Sequence, residues 1–264
     1  MSGFTPKRGT VIRYSFSSDI KESDQPLILN SGIFKTWLEE VTSKFTVEAI
    51  HFGSVDFKGF PKNNSSELEK PIEKEALFIK LNATAFLPDG KRVHGVVLVR
   101  GNAVGVLVVL WCKKKPYLLL VEQPRFPIAN TASLEIPAGI LDWSKDYRKI
   151  ALCELEEEAQ IQVEDSELID LTAFWHGSDV EGFACSCGLL DEKIRLYAVE
   201  REVTEEQLKK MDQRTQEYTD ENEWINTVVL PYEEASHRFV DGKNLIALFM
   251  YERWLKANGR SLSE

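Results

Sequence analysis

Residues 134–159 of the chain read LEIPAGILDWSKDYRKIALCELEEEA, and this stretch decides the fold. Its apolar start, Leu134-Glu135-Ile136, is typical of a strand that ends at the turn-forming Pro137-Ala138-Gly139. The remainder predicts a helix from about Asp146 to Gln160. A strand, a tight loop and a helix in this order allow a loop carbonyl and helix side chains to face one point. The sequence therefore predicts a site where the loop meets the helix.

Three glutamates, Glu154, Glu157 and Glu158, share one face of this helix, because residues three and four apart are neighbours on a helix. Like charges at that spacing destabilise a helix by about 0.2–0.5 kcal/mol per pair. A bound Mg²⁺ or Mn²⁺ would reverse the effect, since hard cations prefer carboxylate oxygen. An isolated acidic run is more often a solvated surface, but the preceding Pro-Ala-Gly segment favours a metal site.

The chain beyond residue 102 predicts a mixed sheet with helices on its faces. Two strongly apolar runs, Ala103–Trp111 and Tyr117–Glu122, predict buried strands. Further strands are predicted at Leu168–Phe174, Ile194–Val199 and Trp224–Leu230, and further helices at Glu205–Met211 and Asn244–Asn258. We expect residues 103–264 to form one α/β domain.

The first 102 residues predict a small, mostly antiparallel β domain. Strands are predicted at Thr10–Phe16 and Phe45–Phe57, with a short helix at Ile33–Val41 between them. The alternating runs Ala76–Phe86 and Lys91–Arg100 flank Pro88-Asp89-Gly90, which predicts a β-hairpin. The polar segment 61–75 is expected to be a loop or linker.

Composition excludes several classes of protein. A net charge of −10 argues against a sequence-general nucleic-acid binder, which needs an excess of Lys and Arg. The four irregularly spaced cysteines, without a secretory segment ahead of them, predict a reducing compartment and no disulfides. No apolar run approaches the roughly 20 residues of a membrane span. The basic first 18 residues leave a mitochondrial or other organellar location as the alternative to the cytoplasmic one that we expect.

The stretch beginning at Gly139 resembles the signature of the Nudix hydrolases, G-x5-E-x7-R-E-U-x-E-E-x-G-U, in which U is aliphatic. The matching positions are Glu154, Leu155, Glu157, Glu158 and Ile161. Three positions depart from the signature: Lys145 replaces the first glutamate, Cys153 the arginine and Gln160 the final glycine.

Segments outside the signature resemble the plant-type ADP-sugar diphosphatase branch of that family. They are Ile33-Phe34-x-x-Trp37-Leu38, residues 100–104 (RGNAV), residues 122–125 (EQPR) and residues 170–174 (DLTAF). The resemblance covers nearly the whole chain. It implies a Nudix α/β/α sandwich with a mixed sheet, preceded by a small antiparallel β-rich domain for dimerisation or as a substrate lid.

The same resemblance implies a metal site. The carbonyl of Ala138 together with Glu154 and Glu158 would bind Mg²⁺ or Mn²⁺, and Glu157 would share the ion or bridge to a second one. Glu192, in a downstream loop, would be a further ligand or the general base; the alternative is a charged residue at the entry to a strand.

Two arginines are implied to bind the substrate. Arg125, from the Glu-Gln-x-Arg segment, would clamp a phosphate or the terminal sugar, and Arg100 is a second candidate. For each arginine, a structural salt bridge is the alternative role.

Two functions follow from the resemblance. The first is a metal-dependent hydrolase that splits a nucleoside diphosphate sugar, such as ADP-ribose or ADP-glucose. The second is a catalytically weak or inactive Nudix-fold protein that binds nucleotide, RNA or a protein partner, which the departures at Lys145 and Cys153 favour. The branch also implies a homodimer formed through the N-terminal β domain.

Overall fold

The structure is a computed structural model that describes residues 11–58, 75–141, 146–212, 215–218 and 223–262. The chain divides into two compact units. The first comprises Met1–Gly101 with Ser186–Glu192, and the second comprises Asn102–Cys185 with Lys193–Glu264. The linker predicted at residues 61–75 lies outside the described residues except for its last position.

Each unit has its own sheet and its own helices. In the first unit the elements are β1 (Arg13–Phe16), α1 (Gln25–Asn30), α2 (Gly32–Lys44), β2 (Thr46–Lys58), β3 (Glu75–Phe86), β4 (Arg92–Val93) and β5 (Val96–Val99). In the second unit they are β6 (Ala103–Cys112), β7 (Lys115–Arg125), β8 (Asn130–Glu135), β9 (Ala138–Ile140), α3 (Tyr147–Glu157), β10 (Ile169–Asp170), α4 (Leu171–His176), β11 (Ile194–Glu202), α5 (Glu205–Met211), β12 (Thr215–Tyr218), β13 (Glu223–Pro231), α6 (Tyr232–Arg238) and α7 (Gly242–Ala257).

The sheet of the first unit is mostly antiparallel, as expected. Its order is β1-β2-β3-β4, with β5 also on β3, and only the pairing of β1 with β2 is parallel among the described strands. The hairpin at Asp89-Gly90 is confirmed, and Gly90 has the positive φ of 85° that such a turn favours. The predicted strand Lys91–Arg100 is divided at Gly95, where a Cβ atom would lie 2.1 Å from the carbonyl oxygen of Ala83.

The sheet of the second unit is mixed, with the order β10-β11-β6-β7-β13-β12; β8 pairs with β7 and β9 with β6. Strand β6 is parallel to β11 and antiparallel to β7, and all its residues are buried. Alternate side chains of β6 pack into two cores, one with Leu155 of α3 and the other with Tyr251 of α7. Helices therefore cover both faces of the sheet, which confirms the predicted α/β fold.

One predicted strand is wrong in most of its length. Only Ile169–Asp170 of the predicted strand Leu168–Phe174 is extended, and helix α4 begins at Leu171. The side chain of Asp170 accepts a hydrogen bond of 2.8 Å from the backbone N–H of Ala173 and so caps the helix. A short apolar run does not by itself distinguish a buried strand from a buried helix, and here the cap decides.

Two expectations drawn from composition can be compared with the structure. None of the helices in the described ranges is both long and apolar enough to span a bilayer. The four cysteines all lie in described segments, and none of them forms a disulfide.

Gln160, which stands at the glycine position of the Nudix signature, has a left-handed backbone with φ of 55°. This conformation costs an L-residue about 1–2 kcal/mol, and glycine avoids that cost but loses about 0.4–1 kcal/mol through its freer unfolded chain. We therefore expect Gln160→Gly to raise the free energy of unfolding by about 0.5–1 kcal/mol, measured from the urea midpoint at unchanged slope. The control is Gln160→Ala, which removes the side chain but keeps Cβ; equal stability of the two variants would contradict the prediction.

Candidate functional site

The Pro-Ala-Gly segment is part of the sheet and not a simple turn. Residues Ala138–Ile140 form β9, which pairs with β6 so that Gly139 lies opposite Val104. The carbonyl of Pro137 accepts a 2.9 Å hydrogen bond from the N–H of Val106. Pairing with the central strand fixes the backbone against which the acidic side chains lie.

Glu158 lies against this backbone and is almost fully buried. Helix α3 ends at Glu157, one residue before it, and Glu158 is only 8% exposed. Its Oε2 accepts a 2.9 Å hydrogen bond from the N–H of Ala138. Burial, followed by the negative charge of Glu154, raises the pKa of Glu158 to about 8. The Ala138 hydrogen bond and the positive charges of Arg125 and Lys243 act in the opposite direction.

Glu154 packs on the next residue of the same segment. A Cβ atom built on Gly139 would lie 1.8 Å from Oε1 of Glu154, so the glycine lets this carboxylate occupy its present position. The carboxylates of Glu154 and Glu158 thus converge on Ala138 and Gly139, and two like charges meet in a partly buried place.

Glu157 is exposed at the end of α3, so the structure places it differently from Glu154 and Glu158. Within the described ranges, no three His, Cys, Asp or Glu side chains are grouped so that they could hold a metal ion. Of the three glutamates that helical spacing predicted to form one site, the structure therefore brings two carboxylates together, those of Glu154 and Glu158.

Two carboxylates still fit a divalent cation of the magnesium type. Such ions retain several waters and bind proteins through one or two carboxylates together with the phosphates of a substrate. A buried carboxylate whose pKa is raised by a neighbouring carboxylate is stabilised by a cation. The chemistry of Glu154 and Glu158 matches that requirement.

A second group of charged residues, which the sequence interpretation missed in part, surrounds Arg125. Its guanidinium donates from Nε and Nη2 to the two carboxylate oxygens of Glu135, at 2.7 and 2.9 Å. Lys243, at the N-terminus of α7, donates to the same carboxylate at 2.5 Å and to Asp241 at 2.6 Å. Burial alone would raise the pKa of Glu135, but Arg125 and Lys243 lower it to about 2.

The sequence contains a weak indication that Glu135 belongs to this group and no indication that Lys243 does. Glu135 is a charged residue between two apolar ones in a buried strand, which is unusual for a side chain without a partner. Lys243 lies 108 residues away and just before the predicted start of the last helix. Its contact with Glu135 depends on tertiary structure alone.

The remaining candidates, Arg100 and Glu192, belong to the first unit and pair with each other. Arg100 Nη1 lies 3.2 Å from Oε1 of Glu192, whose side chain is only 8% exposed. The guanidinium also lies over the ring of Phe78, at 5.6 Å from its centroid. Asp191 fixes the adjoining backbone by accepting from the N–H of Arg100 at 2.8 Å. The salt bridge that the sequence left open for Arg100 is therefore present.

One of the departures from the signature, Cys153, lies within α3. Cys153 is half-buried and lines an open groove of about 560 Å³ that also includes Lys149 and Arg201. A cysteine cannot make the bidentate hydrogen bonds with which an arginine would hold a glutamate. Lys145 lies outside the described residues.

Comparison with known proteins identifies the family. Residues 99–246 match the NUDIX domain family. The chain is 30% identical over 240 residues to "Nudix hydrolase 14, chloroplastic" of Arabidopsis thaliana, covering 90% of this chain and 75% of that protein. It is 30% identical to the "Methanol dehydrogenase activator" of Bacillus methanolicus and 27% identical to the "ADP-ribose pyrophosphatase" of Bacillus subtilis. Each of these two matches extends over 190 residues, 68% of this chain and 90% of the relative. With a family match over more than half its length, the chain belongs to the Nudix hydrolases.

Proposed function

We propose that this protein is a metal-dependent Nudix hydrolase that cleaves the diphosphate linkage of a nucleoside diphosphate sugar, such as ADP-ribose or ADP-glucose. The observation that carries the proposal is the convergence of Glu154 and buried Glu158 on Ala138 and Gly139. Hydrolases of this family generally use divalent metal ions. The name of the Bacillus subtilis relative, ADP-ribose pyrophosphatase, supports the substrate class.

The chemistry requires that the negative charge of the diphosphate be neutralised before water attacks phosphorus. A divalent cation supplies that neutralisation and lowers the pKa of a bound water. We assign its binding to Glu154 and Glu158, with the Ala138 carbonyl and Glu157 as further ligands, and Mg²⁺ or Mn²⁺ as the ion. Positioning and electrostatics dominate such reactions, so no covalent intermediate with the protein is needed.

The phosphate contact is assigned to Arg125. Charge-assisted, bidentate hydrogen bonds make arginine well suited to phosphate. Its guanidinium is held by Glu135 and its side chain is 40% exposed, so it is both oriented and accessible.

The proposed general base is Glu192, with Glu157 as the second candidate. A carboxylate takes the proton of the attacking water when it lies within hydrogen-bond reach of that water. The 3.2 Å contact with Arg100 holds Oε1 of the buried Glu192 side chain, which supports a fixed position for this carboxylate. Arg100 remains the second proposed substrate contact.

Product formation from a panel of nucleotide sugars tests the proposal. We expect a nucleoside monophosphate and a sugar phosphate from ADP-ribose or ADP-glucose in Mg²⁺ or Mn²⁺, and no turnover with a chelator. Absence of metal-dependent turnover on every substrate, combined with no metal-induced shift in melting temperature, would exclude the enzyme.

The alternative is a catalytically weak or inactive Nudix-fold protein that binds nucleotide, RNA or a protein partner. The half-buried Cys153 and the exposed Glu157 favour it, and one relative is named as an activator of another enzyme. Restoring the glutamate and the arginine of the signature with Lys145→Glu and Cys153→Arg separates the two functions. Turnover that appears only in the restored variant would support the alternative.

We further propose a homodimer formed through the N-terminal domain, residues 1–102, with a substrate lid as the alternative role of this domain. Light scattering should then give about twice the chain mass of 30.1 kDa. A mass equal to that of one chain would refute this assembly. We propose a cytoplasmic location, with an organelle as the alternative that the chloroplastic relative keeps open.

A further inference from the structure

We propose that Lys243 is a positioning residue that acts through Glu135 to hold the guanidinium of Arg125 in the orientation that binds a substrate phosphate. The inference rests on the proposed function, because it takes Arg125 as a contact of the diphosphate. It extends the site to the N-terminus of α7, which is 108 residues from Glu135 in sequence.

The three side chains form a chain of contacts from the interior to the surface. The Nζ of Lys243 lies 2.5 Å from Glu135 Oε2, the same oxygen that accepts from Nη2 of Arg125 at 2.9 Å. The side chains are 9% exposed for Lys243, 2% for Glu135 and 40% for Arg125. Only the arginine is substantially accessible, so it is the member of the chain that can meet a ligand.

Arg125 and Lys243 both bind the carboxylate of Glu135, but they have different roles. The Nε and Nη2 bonds of Arg125 fix the plane of its guanidinium relative to Glu135, but they leave the torsions of Glu135 to be fixed from elsewhere. Lys243 fixes them, because it holds the carboxylate from the buried side. With Asp241, which lies 2.6 Å from Lys243, the four side chains have a formal charge of zero. Within this group the contact of Lys243 with Glu135 is the one that reaches Arg125, and through it Lys243 orients the guanidinium.

The adjacent residue, Asn244, secures the helix itself. Its side chain accepts from the N–H of Ile136 at 3.0 Å and donates to the carbonyl of Leu134 at 2.9 Å, on either side of Glu135. Docking of α7 against β8 thus has its own buried hydrogen bonds. The chain therefore offers two neighbouring substitutions: one removes the ionic contact with Glu135, and the other removes the hydrogen bonds of Asn244 to the backbone on either side of Glu135.

Kinetics on ADP-ribose with Mg²⁺ test the inference. Lys243→Met is expected to raise KM about tenfold with kcat changed less than about threefold, because uniform binding of the phosphate is lost. Lys243→Arg, which restores a cation, should bring KM back to within about threefold of the wild type. Asn244→Ala should lower the melting temperature and leave KM unchanged. Combined with Arg125→Met, Lys243→Met should have no additional effect on KM.

Several outcomes would overturn the inference. One is an unchanged KM in folded Lys243→Met, and another is an equal rise in KM when Arg125 is already methionine. If Lys243→Met does not fold, Asp241→Asn replaces it, since it weakens the hold on Lys243, and an unchanged KM there overturns the inference. Calorimetry of ADP-ribose binding to the metal-free protein separates the two proposals. No turnover and no binding by the wild type removes both, whereas equal binding by wild type and Lys243→Met removes only this one.

Discussion

Glu158→Gln is expected to lower kcat/KM for nucleotide-sugar hydrolysis by about two to three orders of magnitude. The amide keeps an oxygen that can accept from the N–H of Ala138, but it removes the negative charge that would hold a divalent cation. Glu156→Gln is the matched control, because Glu156 is an exposed glutamate two residues away. We expect the control to retain activity within about twofold; an equal loss in both variants would contradict the assignment of the site to Glu158.

The same substitution is expected to stabilise the protein when metal is absent. Burial and the charge of Glu154 raise the pKa of Glu158 from 4.5 to about 8, so its ionised form is disfavoured in the folded state. A raised pKa contributes stability that is fully present below pH 4.5 and is lost as the pH rises through 8. At about 1.4 kcal/mol per pH unit, the wild type loses up to about 5 kcal/mol across this range, and the glutamine variant does not.

Thermal unfolding in a chelator at pH 5 and at pH 9 measures this effect. One kcal/mol corresponds to about 2–4 °C in melting temperature for a protein of this size. The melting temperature of Glu158→Gln relative to that of the wild type should therefore be several degrees higher at pH 9 than at pH 5. The melting temperature of Glu156→Gln should follow that of the wild type at both pH values. A divalent cation should remove the difference by binding the wild type. Parallel melting curves for Glu158→Gln and the wild type would contradict the buried position of this carboxylate.

The sequence predicted the helices and strands whose formation depends on neighbouring residues, such as a helix cap or a turn. Helix α5 has the predicted bounds, Glu205–Met211, because the Thr204 hydroxyl accepts from the N–H of Gln207 and the Gln207 side chain accepts from the N–H of Thr204. The β-hairpin was likewise predictable from a local feature, the turn-forming pair Asp89-Gly90. The apolar run that became β6 predicted a buried strand, since the chain there has almost no polar side chain to expose.

The candidate site was predictable only in part. Helical spacing placed three glutamates on one face, and Glu158 still has a helical backbone, but the structure buries Glu158 against the sheet and leaves Glu157 exposed to solvent. Burial of Glu158 depends on β9, which the sequence indicated only as a turn. The ionic contacts of Glu135 with Lys243 join positions 108 residues apart, and a single sequence has no local pattern for such a pair.

Glu135→Gln is expected to lower the free energy of unfolding by about 3 kcal/mol at pH 7. Removing this carboxylate leaves the buried ammonium of Lys243 with only Asp241, which is 29% exposed, and leaves Arg125 without its bidentate partner. The loss of one partner from a buried ion pair typically costs about 3–5 kcal/mol, and Asp241 places the expected cost at the lower end. The fall in the pKa of Glu135 from 4.5 to about 2 independently corresponds to about 3 kcal/mol.

The dependence on pH distinguishes this ionic role from simple packing. A lowered pKa contributes stability that is present above pH 4.5 and is lost as the pH falls through 2, so the gap between wild type and Glu135→Gln should narrow between pH 5 and pH 3. Urea unfolding across that range measures the gap. Glu234→Gln is the control: its partner Arg238 lies 3.4 Å away at the surface, and we expect a change of less than about 0.5 kcal/mol. A difference in stability that stays constant with pH would mean that Glu135 stabilises the fold by its shape. An ionic contribution must change with pH, because Glu135 attracts Arg125 and Lys243 strongly only while its carboxylate is ionised.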